Sequence, residues 1–198
     1  MISGRSEKGR RIALWLALLL PALAQAGNWQ QRVQQIAGHA QVPVRFEEQQ
    51  YRFYLDEPLT SRGEMRFEPP SRLIRQLESP QPMRLIIDGE RLIRETADGE
   101  RREVALDAHP LLAGLGRLLL ALFAGDPQLL AGRFDIDYEE GPDQDWQMGL
   151  TPREKALQEW IRHIRLAGRG GILTRIEIVE VNDDRTVIRL WPADDRRP

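Results

Sequence analysis

The 198-residue chain has no cysteine. It therefore forms no disulfide, and it offers no N-terminal thiol for a lipid after export. Histidine is nearly as scarce: His39, His109 and His163 stand far apart, and none has the helical i,i+4 His or carboxylate partner of a zinc site. A G-x-S-x-G elbow for a serine hydrolase is missing. Gly168-Arg169-Gly170-Gly171 lacks the Gly-Lys-Ser/Thr of a phosphate loop and precedes a strand pattern, so it reads as a turn. Asp135, Asp137, Glu139 and Glu140 have the look of a calcium loop, but Gly141 comes one place late and Trp146 stands where the bidentate acid should be. Internal repeats and low-complexity tracts are absent too. These gaps leave no familiar catalytic machinery, so the expectation is a protein that is not an enzyme, with no cofactor and no metal.

Long apolar runs are also lacking. Ile12 to Leu20 falls short of the roughly 20 residues a spanning helix needs, and Pro21 interrupts it. Arg5, Lys8, Arg10 and Arg11 precede this run, and Ala24-Gln25-Ala26 follows it. That order is the pattern of a secretory signal, expected to be cleaved after Ala26 and to deliver residues 27–198 as one domain to the periplasm. Removal of residues 1–26 takes away four basic groups and one acidic group, and shifts the net charge from −2 to −5. A mildly acidic domain argues against nucleic acid as a partner. Its length suffices for a core without staples, and it is expected to be a monomer.

What is present is mostly strand. An amphipathic helix opens the exported chain, capped by Asn28 and ended by Gly38, with Trp29, Val33 and Ile36 at helical spacing. Val42 to Leu55 reads as one long strand whose apolar phase changes, from Val44 and Phe46 to Tyr51, Phe53 and Leu55, which predicts a bulge or bend. Met65 and Phe67 alternate with Glu64, Arg66 and Glu68, and Pro69-Pro70 ends that strand. Leu73 to Leu77, Met83 to Ile87, Arg91 to Thr96 and Arg101 to Leu106 follow, with hairpin signals at Asp88-Gly89 and at Ala97 to Glu100.

The pattern then changes. Pro110 starts a helix, and Leu111 to Phe123 is apolar on almost every side, with Arg117 its only charge. Such a helix is either plain core or a lid whose inner side lines a cavity. Gly114 and Gly116 cost it roughly 1 kcal/mol each relative to Ala, which fits an element that moves. Asp126-Pro127 begins a second helix that closes at Gly132. Strands resume at Phe134 to Tyr138 and Trp146 to Leu150, Thr151-Pro152 begins a short helix or turn, and Trp160 to Leu166 fits helix and strand equally well. Ile172 to Val181 and Thr186 to Trp191 form a terminal hairpin over Asn182 to Asp184, and Asp194 to Pro198 is a solvated tail. The sum is an α+β protein built on an antiparallel sheet of about ten to eleven strands.

The order of these signals resembles the periplasmic lipoprotein carrier family LolA. The residues that carry the resemblance are Ser61, Gly63, Met65, Phe67, Pro70, Pro80, Ile86, Ile87, Asp88 and Gly89, with Trp146, Leu150 and Pro152 fitting a later W-x-x-x-L-x-P pattern. It implies an unclosed antiparallel β-barrel with a helical lid, here the Pro110 to Gly132 helices. It also implies a carrier for the acyl chains of a lipid or lipoprotein, passing between an inner-membrane donor and an outer-membrane acceptor. The implied cavity is lined by Phe53, Leu55, Met65, Phe67, Leu85, Ile87, Trp146 and Met148 from the sheet and by Leu112, Leu115, Leu119 and Leu122 from the lid. The sequence departs from the family where an Arg before the conserved Pro helps to close the lid: Pro69 stands there, and Arg75 falls where an aromatic is usual. That departure is similar to divergent members that accompany polyene or pigment lipid biosynthesis, and it implies a lipid cargo other than an acylated protein. A sensor or scaffold that binds an envelope protein is the alternative; it predicts a filled core and an exposed apolar patch.

Overall fold

The computed structural model describes residues 28–108 and 110–194. The signal segment 1–26 with its cleavage after Ala26, His109 and the tail beyond Asp194 lie outside the described residues. Eleven strands form one antiparallel sheet: β1 Val44–Tyr51, β2 Leu59–Glu68, β3 Arg72–Ser79, β4 Met83–Asp88, β5 Arg91–Thr96, β6 Arg101–Ala105, β7 Phe134–Glu140, β8 Asp145–Pro152, β9 Ile161–Arg169, β10 Ile172–Glu180 and β11 Arg185–Pro192. The spatial order is β6-β5-β4-β3-β2-β1-β11-β10-β9-β8-β7. Two meanders are thus joined along the β1/β11 seam. β6 and β7 remain unpaired on their outer sides, so the barrel is not closed.

Among the described residues four α-helices accompany the sheet: α1 Trp29–His39, α2 Pro110–Ala124, α3 Pro127–Arg133 and α4 Lys155–Gln158. The Asn28 side chain accepts from the Gln31 amide at 3.2 Å, and Asp126 caps α3 through the Leu129 amide at 2.9 Å. Each bond satisfies one of the free donors at a helix start. Gly125, with φ +69°, ends α2 in the left-handed region, where a Cβ is disfavoured. Thr151-Pro152 starts no helix; Pro152 is the last residue of β8, and α4 begins three residues later.

The long strand expected over Val42 to Leu55 is shorter and unbroken. β1 starts after Pro43, and it pairs with β2 and β11 without a register shift. The chain turns at Arg52 to Leu55, where the Leu55 amide reaches the Arg52 carbonyl at 3.0 Å and the Phe53 amide donates to Asp184 Oδ1 at 2.9 Å. The phase change arises because the inward parity of Val44 and Phe46 continues through the polar Glu48 and Gln50. Register shifts fall elsewhere, at Arg62/Gly63 between β2 and β3 and at two places between β9 and β10. At Gly63 a Cβ would lie 1.9 Å from the Gln76 carbonyl oxygen, so the close strand approach there admits only glycine.

The concave face of the sheet carries the main core, with Phe46, Met65, Phe67, Leu73, Trp146, Leu150, Ile164 and Leu166 among its buried side chains. α1 adds Val33 and Ile36, and α2 adds Leu118, Ala121 and Leu122. One buried charge fixes α1 in place. Arg32, 6% exposed, donates to Tyr138 Oη at 3.0 Å, Gln35 Oε1 at 2.5 Å, the Gly170 carbonyl at 2.6 Å and Glu140 Oε1 at 2.6 Å. Its guanidinium also lies 5.9 Å from the Trp146 ring centre. Hydrogen bonds from Tyr138 and Arg32 hold the Glu140 carboxyl below its ordinary pKa. On the convex face Ile74, Ile86 and Ile93 form a cross-strand ladder, flanked by charged rungs such as Glu68-Arg72-Asp88-Arg91.

Candidate functional site

Between α2 and the concave sheet lies a cavity of about 680 Å³. This is within the roughly 300–1,000 Å³ range of small-molecule sites. Its apolar wall comes from three sources: Met65, Leu73, Leu77, Leu85 and Ile87 on the N-terminal meander, Leu112, Leu115, Leu118 and Leu119 on α2, and Ile176, Ile178 and Ile188 across the seam. Strand alternation explains the sheet residues, since β2 to β4 present every second side chain to one face. In register, Phe67, Leu73, Ile87 and Leu92 form one inner rung, while Met65, Arg75 and Leu85 form the next.

The helix is seated by its glycines. A Cβ on Gly116 would stand 2.5 Å from Ile87 Cδ1, and one on Gly114 would stand 2.5 Å from Leu157 Cδ1. Both glycines are therefore notches that let α2 approach β4 and α4 closely, which is a packing role in addition to any looseness they bring. Arg117, the single charge on the helix, is drawn to Glu90 and Asp107. Leu112 is 40% exposed at the start of α2, whereas Leu118 and Leu122 are buried.

Six of the twelve residues expected from sequence line this cavity together: Met65, Leu85, Ile87, Leu112, Leu115 and Leu119. Phe67 lines a smaller cavity of about 120 Å³ under α1, with Phe123 at a ring separation of 6.0 Å; Met65 borders both spaces. Leu122, Trp146 and Met148 are in the packed core and line neither cavity. Trp146 is also held by its indole N–H, which donates to the Gly170 carbonyl at 2.9 Å. Phe53 and Leu55 lie outside both cavities as well, in the turn after β1, 83% and 37% exposed. Inward positions on β1 have even numbers, so these two odd-numbered residues do not continue its inner face.

The same parity brings in residues that the apolar pattern did not mark. Glu48, Gln50 and Arg52 continue from Phe46 and give the cavity a polar strip, with Arg75 and Glu180 opposite. Arg75 reaches Glu48 Oε2 at 2.5 Å and lies over the Phe46 ring at 4.2 Å; Arg52 reaches Glu180 Oε1 at 2.5 Å. Arg72 and Arg84 face the other way and pair with Glu68 and Glu95. At the same end of the sheet Tyr54, Leu59, Trp160 and Val181 are each 45–65% exposed. Among the described residues no group of three His, Cys, Asp or Glu side chains is placed to hold a metal ion, and no helix is long and apolar enough to cross a membrane.

A sequence profile of the family described as outer membrane lipoprotein carrier protein LolA-like matches residues 21–193. No curated protein sequence matches the chain. Among solved structures, a LolA superfamily protein from Nitrosomonas europaea is similar at 9% identity and a TM-score of 0.45, over 87% of this chain and 96% of that one. A putative outer membrane lipoprotein-sorting protein domain from Vibrio parahaemolyticus is similar at 6% identity and a TM-score of 0.42, over 85% and 93%. MucB in the MucA/MucB complex of Pseudomonas aeruginosa is similar at 12% identity and a TM-score of 0.43, over 85% of this chain and 58% of that one. With eleven antiparallel strands, an open edge on either side and helices over the concave face, the chain belongs to the LolA-like family of outer membrane lipoprotein carrier proteins.

Proposed function

We propose that this protein is a periplasmic carrier that shields the acyl or other hydrophobic chains of a lipid or lipoprotein during transfer from the inner to the outer membrane. Members of the LolA-like family are periplasmic carriers or binding proteins rather than enzymes. The observation that carries the proposal is the roughly 680 Å³ cavity with leucines of α2 on one side and the concave sheet on the other. Each methylene taken out of water contributes about 0.8 kcal/mol, so a lipid chain does not cross an aqueous compartment bare. A bilayer offers the same chain similar burial. Small affinity differences therefore suffice for exchange, and a membrane donor and acceptor set its direction. In this reading α2 and α3 are the lid. The Arg to which the family gives a lid-closing role, before the conserved Pro, is replaced here by Pro69, whose side chain donates no hydrogen bond.

Native mass spectrometry of detergent-free protein purified from the periplasm, followed by lipid extraction, tests this. The expected result is a bound species bearing acyl or polyene chains. A bare polypeptide mass that persists after incubation with membrane lipids refutes the carrier role. That outcome favours the second reading, a sensor or scaffold that binds an envelope protein through the exposed apolar side chains near Phe53, Tyr54 and Trp160.

A further inference from the structure

The polar strip of the cavity is charge-compensated within itself. Its two cations are both engaged: Arg75 with Glu48 at 2.5 Å, and Arg52 with Glu180 at 2.5 Å and with Asp184 at 3.6 Å. Gln50 links the pairs, donating to Glu48 Oε1 at 2.5 Å and accepting from Arg52 Nη2 at 3.1 Å. Glu48 is 5% exposed, and the side chains of Arg52, Glu180 and Asp184 are 17%, 14% and 6% exposed. Among the lining residues two cations thus face two carboxylates, and Asp184 is a third carboxylate beside Arg52. Arg94, on the same inner rung as Arg75, is exposed and outside the lining. Arg75 Nε is buried, has no hydrogen-bond partner and is out of a ligand's reach.

This arrangement treats neutral and anionic lipids differently. A carboxylate or phosphate brought into the cavity leaves water for a wall whose cations are already taken and whose acidic oxygens repel it, which is costly at low dielectric. An ester carbonyl, amide or hydroxyl carries no such cost and can use the hydroxyls of Ser61 and Thr186, inward residues of β2 and β11 in the same lining. We infer that the cavity selects chains whose polar end is an uncharged oxygen group and discriminates against free carboxylate or phosphate heads, with the Glu48–Arg75 pair as the determinant. This inference rests on the carrier reading, whose site it specifies.

The test compares two ligands of equal chain length, monolauroylglycerol and laurate, in competition against a pyrene-labelled monoacylglycerol at pH 7.5. The wild-type protein is expected to bind the ester at least about tenfold more tightly, equivalent to about 1.4 kcal/mol. Glu48→Gln leaves Arg75 uncompensated and is expected to shrink or reverse that ratio by about tenfold; Arg75→Gln is expected to widen it. Laurate binding to the wild type as well as the ester overturns the inference while leaving the carrier reading intact. So does a ratio that neither variant moves. If neither ligand nor the pyrene probe binds, both the inference and the carrier reading fall. Should Glu48→Gln not fold, the wild-type ratio and the Arg75→Gln ratio still decide.

Discussion

Leu119 and Leu122 lie three residues apart on one helix, and the structure assigns them opposite fates on substitution by Glu. Leu119 is half-buried and faces the roughly 680 Å³ cavity, so a carboxylate there meets space that water can enter. Leu122 is fully buried in the main core, where the same group has no partner and no room. Burial of an uncompensated ion costs several kcal/mol even after relaxation, and loss of the leucine adds about 2–5 kcal/mol by the usual large-to-small range. Leu122→Glu is therefore expected to spend most of the stability of a domain whose whole margin is about 5–15 kcal/mol, and to be recovered unfolded or degraded. Leu119→Glu is expected to remain exported, with a melting temperature within a few degrees of wild type. Its effect falls on binding. If the carboxylate and its water exclude about four methylenes of a bound chain, the loss is about 3 kcal/mol, or roughly a hundredfold in Kd. Circular dichroism melts and titration with the pyrene-labelled monoacylglycerol read the two quantities separately. Unchanged probe affinity in folded Leu119→Glu, or loss of folding equal to that of Leu122→Glu, would remove α2 from the cavity wall and refute the lid assignment.

Two further predictions concern the rest of the fold. Arg32→Met removes the three hydrogen bonds that pin α1 to β7 and to the β9/β10 turn, and a loss of about 1.5–3 kcal/mol is expected from the range for hydrogen bonds to a charged group, read as a lower urea midpoint; an unchanged midpoint would show that α1 is held by its apolar side chains alone. His163 has its pKa lowered first by burial and then by Arg165 and Arg162, with Glu177 opposing, so the folded protein takes up its proton less readily than the unfolded chain. The stability it contributes is present above the ordinary value of 6.5 and is lost as pH falls from there through the depressed value. Melting temperatures between pH 7.5 and 5.5 should fall for wild type and fall less for His163→Gln, and equal slopes would exclude this residue as the source.

Much of this architecture was legible because strands declare themselves by alternation and turns by Pro and Gly. The β4/β5 turn is Gly89-Glu90, one residue on from the Asp88-Gly89 signal, with Gly89 at φ +57°, and Pro69-Pro70 ends β2. Trp160 to Leu166 was not legible, because its apolar residues fit both periods; pairing of β9 with β8 and β10 decides it. Half of the expected cavity residues fall on the cavity. The others show what the pattern cannot separate: Trp146, Met148 and Leu122 have the right parity or helix and are covered by neighbouring elements, and nothing in a sequence distinguishes an inward residue that meets protein from one that meets space. The polar strip was hidden for a different reason. Glu48, Gln50 and Arg52 interrupt the hydrophobic alternation, and only the continued parity of Val44 and Phe46, together with an Arg on β3, could have placed them inside. Arg32 sits in a polar helix run and gave no sign of burial.

The open sheet has one more consequence. A barrel that does not close keeps two strand edges, each a row of free amide and carbonyl groups on which another chain can add a strand. β6 is short, exposed throughout and reads Arg-Arg-Glu at its start, while β7 carries Asp135, Asp137, Glu139 and Glu140. Pairing of β7 with its own kind would set like charges opposite one another. The acidic row along β7 thus guards that open edge against self-pairing, and a substitution that neutralises it would turn the edge into a template for further strands.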